Sequence, residues 1–261
     1  MADMNPMNPY KAPEAPVSDV SGIGGDDSGE AVAVPAGDGW QWLADGFTLF
    51  KQQPGLWIGI IIVWAIIFIA LNLIPLIGGI ATTLLTPVFL GGLMLGCRAL
   101  DSEEAFTFNH LFAGFSTNTG NLAVVGVLQL VALIAVLIVA ALVALLFGLM
   151  PALMSGDSSA LLRAGPGLII AVLLAVGLMV PVYMALWFAP ALVVFRNHTA
   201  TEAMKVSFGA CLKNIIPFLL YGIIVFVLAI LASIPFMLGW LVLAPVVIAS
   251  IYASYKGIFQ G

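Results

Sequence analysis

Charge is what this chain has least of. Only 8% of its 261 residues are Asp, Glu, Lys or Arg, against about 25% in soluble domains, so it cannot furnish a water-facing surface. The charge present is also uneven. Seven of the thirteen acidic residues (Asp3, Glu14, Asp19, Asp26, Asp27, Glu30 and Asp38) precede residue 40. The formal net charge of −5 therefore belongs largely to an N-terminal segment, and the clustered basic face that nucleic acid requires is missing. No nucleic-acid partner is expected.

Cysteine and histidine are equally sparse. Cys97 and Cys211 are too few for a disulfide framework. With His110 and His198 they make four soft ligands, but no CxxC or HxxxH pair places two of them locally, so no metal or other cofactor is expected. The sequence holds no Walker loop, GxSxG, HExxH or paired catalytic carboxylates. The expectation is a protein that is not an enzyme. A charged n-region with a short apolar core is also absent from the first residues, so insertion is expected to start from the first membrane helix.

Apolar sequence fills the space left. Six stretches, about 56–74, 80–97, 122–150, 167–195, 215–234 and 239–256, are long enough to cross a bilayer. The first, LWIGIIIVWAIIFIALNLI, would span ~28 Å as a helix. The fold expected is an all-α integral membrane protein with six transmembrane helices. Residues 1–39, rich in Pro, Gly, Ser and Asp, are expected to be a disordered cytoplasmic tail, and 40–261 a six-span membrane domain. With six spans, Lys11, Lys51, Arg98, Arg196, Lys205, Lys213 and Lys256 fall on one side and only Arg163 on the other. The positive-inside rule then puts both termini in the cytoplasm.

The spans carry an internal pattern. Pro87-Val88 precedes Arg98 by eleven residues, Pro245-Val246 precedes Lys256 by eleven, and Pro181-Val182 lies in the span that ends at Arg196. The turns IPLIGG (74–79) and IPFMLG (234–239) match. Each odd span follows a short amphipathic segment: Trp40, Leu43, Phe47 and Phe50 in the first, Phe108, Leu111, Phe112 and Phe115 in the second, Met204, Phe208, Cys211 and Leu212 in the third. Asp101 and Glu104 have capping-box spacing at the start of the second. The unit is therefore interfacial amphipathic helix, span, turn, span, repeated at about 40–100, 101–196 and 197–261.

Several residues follow as site candidates. A proline inside a membrane helix removes a backbone donor that neighbours must replace. Pro87, Pro181 and Pro245 are thus expected at similar depth, facing the bundle interior. Gly92 with Gly96, and Ala249 with Ala253, are small-xxx-small pairs suited to close helix packing. Gln129, Thr83 and Thr86 are polar candidates for a cavity lining or interhelical hydrogen bonds. Apart from Lys256, which closes the last stretch, no Asp, Glu, Lys, Arg or His lies in the six, which speaks against ion-coupled transport.

The segments GWQWLADGFTLFKQQPGLW and IPLIGGIATTLLTPVFLGGLMLGCRALDSEEAFTFNHLFAGF resemble a family of uncharacterised proteobacterial inner-membrane proteins. The resemblance runs from about residue 37 to the end and is most specific between 39 and 115. More distantly, the arrangement is similar to the membrane domains attached to some bacterial glycerophosphodiester phosphodiesterases, without their barrel or metal-binding acids. The resemblance implies a bacterial inner-membrane location and six spans, and no substrate. The functional expectation is a non-enzymatic membrane component that binds membrane lipids or another membrane protein. The alternative is a channel or transporter for a neutral or hydrophobic solute.

Overall fold

The computed structural model describes residues 30–150 and 165–260. The expectations for the tail before residue 30 and for the loop bearing Arg163 lie outside the described residues. The helices are α1 (Asp38–Gln52), α2 (Pro54–Asn72), α3 (Ile77–Asp101), α4 (Thr119–Ala144, extended by a π turn at Leu145–Leu149), α5 (Gly165–Trp187), α6 (Ala189–Arg196), α7 (Ala200–Lys213), α8 (Ile215–Ser233) and α9 (Trp240–Phe259). Among the described residues there is no strand. Among the described residues, six helical runs are long and apolar enough to cross a membrane: α2, α3, α4 to Phe147, α5 with α6, α8 and α9. They are spans one to six below.

The segments before the odd spans pack on neighbouring hairpins. α1 lies on α8 and α9, residues 108–115 lie on α2 and α3, and α7 lies on α4, α5 and α6. Two of these seats rest on a glycine. A Cβ at Gly46 of α1 would come within 2.6 Å of the Val246 carbonyl oxygen and 2.8 Å of the Ser250 nitrogen. A Cβ at Gly114 would collide with the Val88 carbonyl oxygen and lie 3.2 Å from the Gly92 nitrogen. In each case the backbone approached is that of the valine after the span's proline and of the residue four further on.

The second segment departs from expectation. Residues 108–115 form two 3-10 turns, Phe108–Leu111 and Ala113–Phe115, in place of an α-helix. The Thr107 backbone N–H donates to His110 Nδ1 at 3.1 Å, making the capping box here. Asp101, expected as a cap, instead ends α3 and accepts from Lys256 Nζ at 2.7 Å and from the Tyr252 hydroxyl at 3.0 Å. The first stripe divides as well. Leu43 and Phe50 are buried against protein, whereas Trp40 and Phe47 are exposed. An apolar stripe suits lipid and protein equally, and in α1 the protein-facing edge is the one that also carries Gly39 and Gly46.

Order also begins earlier than residue 40. Asn214 accepts from the Val34 N–H at 2.9 Å and donates to the Val32 carbonyl at 2.9 Å. The Val32 N–H donates to the Ile258 carbonyl at 2.9 Å. The chain before α1 is thus held beside the end of α9, and the two described ends share one end of the bundle.

At that end the even spans are linked in a ring. Arg98 of span two lies over the Phe195 ring of span four, 4.9 Å from its centroid. Arg196 of span four donates to the Tyr255 hydroxyl at 3.2 Å and to the Phe259 carbonyl at 2.8 Å, both in span six. Lys256 of span six returns to Asp101 of span two. Leu93, Leu111, Leu192 and Ile258, from the same part of the bundle, are fully buried.

Candidate functional site

Span four is broken, and the break makes the site. α5 stops at Trp187 and α6 starts at Ala189. In an unbroken helix the Phe188 N–H would donate to the Met184 carbonyl. Here the fully buried hydroxyl of Ser207, from α7, stands between them: it accepts from the Phe188 N–H at 3.0 Å and donates to the Met184 carbonyl at 2.7 Å. A side chain inserted into the helical ladder is a recognised cause of a kink. The Cys211 thiol approaches the same carbonyl at 3.5 Å, and burial pushes that thiol up to about 12, so it stays a neutral donor. Pro190, buried in the first turn of α6, has no N–H to return to the preceding turn.

Beyond the break, α5 stands away from α8, and a groove of about 580 Å³ separates them. Val176, Met179, Val180 and Tyr183 of α5 form one wall and Phe218 and Leu219 of α8 the other, with Cys211 and Leu212 at the α7 end. The residues lining it are apolar apart from the Tyr183 hydroxyl, the Cys211 thiol and the Trp187 indole N–H. A smaller cavity of about 180 Å³ lies among spans two, three, four and six. Thr86, Pro87, Gln129, Tyr183, Trp187 and Pro190 line it, with Tyr183 and Trp187 bordering both spaces.

Three residues singled out from the sequence, Thr86, Pro87 and Gln129, thus meet at one cavity. The threonines use their hydroxyls on their own helix: Thr86 donates to the Thr82 carbonyl at 2.7 Å and Thr83 to the Gly79 carbonyl at 2.8 Å. Gln129 is half-buried and has no hydrogen-bond partner among the described residues.

The prolines do not behave alike. Pro87 and Pro245 are buried, but Pro181 is exposed. The expectation of an interior Pro181 is corrected, because it lies on the part of span four that precedes the break. The protein-facing proline of that span is Pro190.

The small-residue pairs pack as follows. A Cβ at Gly92 would meet the His110 carbonyl, and one at Gly96 would lie 2.5 Å from the Phe106 ring. What approaches this pair is the chain at 106–114 and not another span. Ala249 and Ala253 are buried on α9, the helix on which α1 lies.

Reading the sequence missed Ser207, Tyr183, Trp187 and Pro190. Ser207 had a usable signal: with Ala203 and Ala210 it makes a small-residue edge on α7, and all three are buried. Among the described residues no three His, Cys, Asp or Glu side chains cluster as a metal site.

No family model and no solved structure matches the chain. It is similar to a probable inner membrane protein of Burkholderia thailandensis, 28% identical over 257 residues that cover 88% of this chain and 94% of the relative. That likeness over nearly the whole length, with six apolar helices of spanning length, makes the chain a multi-pass inner-membrane protein.

Proposed function

We propose that this protein is a non-enzymatic component of the inner membrane that binds a membrane lipid between spans four and five. The groove carries the reading. It is walled by apolar side chains of two membrane helices, and a bilayer fills such a space with acyl chain. The Ser207 hydroxyl supports it by compensating the backbone groups that the break in span four releases. Against a pore, the ring of Arg98, Arg196 and Lys256 and the buried residues behind it close the space between the even spans at one end.

The same reading takes the chain as three units arranged around that space. Its support is the matched seating of Gly46 and Gly114, the cyclic order of contacts, and the hairpin turns. In the latter, Cβ atoms at Gly78 and Gly239 would collide with the helix seven residues earlier, at Leu71 and Ala232. It also places both ends in the cytoplasm, on the weight of the basic residues gathered there.

A photoreactive acyl-chain phospholipid tests the groove. Crosslinks should concentrate on peptides spanning 176–187 and 211–219, and Val180→Trp, which fills the groove, should reduce them severalfold. Crosslinks spread evenly over all spans would defeat the proposal. For orientation, Ser158→Cys should react with an impermeant maleimide on spheroplasts and Ser102→Cys should not, in a background lacking Cys97 and Cys211. The opposite pattern inverts the topology.

A further inference from the structure

The groove and the small cavity share Tyr183 and Trp187, and the cavity alone adds a carboxamide, that of Gln129. Gln129 lines it with a carboxamide that has no hydrogen-bond partner among the described residues. Trp187 borders it, and its indole N–H is buried without an acceptor. Neither space is lined by a charged side chain. An acyl chain alone would fill the groove but offer the half-buried Gln129 carboxamide no partner and leave the buried Trp187 indole N–H unmet, which is the costly half of burying a polar group.

Depth narrows the choice further. Gln129 lies ten residues into α4, which starts at Thr119, so it is ~15 Å along the helix and close to mid-bilayer. A phospholipid headgroup stays at the interface, and a phosphate at this depth would need a cation that the lining lacks. The cavity is small, about 180 Å³ against about 580 Å³ for the groove. A head that fits must be compact, uncharged and rich in acceptors.

We propose that groove and cavity form one site for an uncharged lipid with a carbonyl-bearing head, of the quinone type, on a long apolar tail. This rests on the groove reading above. The tail lies between α5 and α8, passes Tyr183 and Trp187, and brings its carbonyl oxygens to the Gln129 carboxamide and the Trp187 indole. Gln129 supplies selectivity for the head and the groove supplies tail affinity.

The test uses full-length protein in phosphatidylcholine nanodiscs carrying the photoreactive phospholipid. A decyl-tailed benzoquinone and plain decane serve as competitors. The quinone should displace the acyl crosslink at a concentration at least tenfold lower than decane. Gln129→Leu should lose that tenfold advantage while keeping the crosslink, which also reports that it is folded. Gln129→Asn, which retains the amide, should recover part of the advantage. Equal competition by quinone and decane in the unaltered protein would overturn head recognition and leave the groove reading standing. Loss of the crosslink from the groove in the unaltered protein would overturn both. An undiminished quinone advantage in Gln129→Leu would remove Gln129 from the site and overturn the proposal as stated.

Discussion

Spans two and six and spans three and four are all apolar enough to cross a membrane but occupy opposite environments. In the most apolar 18-residue stretch of each span, 50% and 56% of the residues of spans two and six are buried inside the protein, against 6% in spans three and four. The buried pair also has the lowest mean hydropathy of the six. In water the order would be reversed, since the most apolar segment goes inside. In a bilayer the lipid is as apolar as leucine, so helices associate through close packing and hydrogen bonds. Span two accordingly buries Gly91, Gly92 and Gly96, and span six buries Ala249, Ser250, Ala253 and Ser254. Spans three and four present Val, Leu and Ile to the acyl chains.

The sharpest way to test this contrast is the same substitution on both sides of it. Gly92→Val forces a branched side chain into the backbone at His110 and Gly114, while Gly177 in span four has nothing within 4 Å of where a Cβ would lie. Gly92→Val should cost ~3 kcal/mol or more and leave little protein surviving mild heating in detergent, as overpacking against backbone does at its upper end. Gly177→Val should match the parent within error on the same heated size-exclusion profile. Equal effects would mean that the two spans do not differ in environment as described.

Ser207→Ala should come next. It leaves the buried Phe188 N–H without its partner and the Met184 carbonyl with only the Cys211 thiol, for ~1–3 kcal/mol. Ser233, whose hydroxyl donates to its own helix at Ala229 and accepts from the Trp240 indole, is the exposed comparison, and Ser233→Ala should cost less. Chemical denaturation in mixed micelles reads both. The smallest effect belongs to the ring: Lys256→Met removes a partly exposed ion pair with Asp101, which should weaken the fold by ~0.2–1 kcal/mol. Because salt screens such pairs, the gap from the parent should close in high salt. A gap that persists there would assign the effect to packing.

Which apolar surface meets protein was only partly legible in the sequence. Helical spacing located α1, α7 and the residues at 108–115, and the Pro-Val pairs located Pro87 and Pro245, both buried. It could not separate Leu43 from Phe47, because periodicity measures apolarity and lipid and protein accept it equally. Nor could it tell Pro181 from Pro190, since that depends on where α7 inserts its serine into span four. The candidate cavity was visible as Thr86, Pro87 and Gln129 but not as Tyr183, Trp187 and Pro190. Those three belong to the two halves of span four, whose register against α4 and α7 is set by contacts between segments distant in sequence.

The sequence by itself determined that this chain lives in a membrane, that it crosses six times, and where its basic residues stop each even span. Those properties follow from transfer of side chains between water and lipid, which depends on composition and order alone. Tertiary structure decided which spans are central, that each segment before an odd span sits on a neighbouring hairpin, and that span four breaks beside a groove. These rest on the close approach of Gly46 to Val246, of Gly114 to Val88 and of Ser207 to Met184. In lipid, such backbone contacts and hydrogen bonds, and not apolarity, choose the partner.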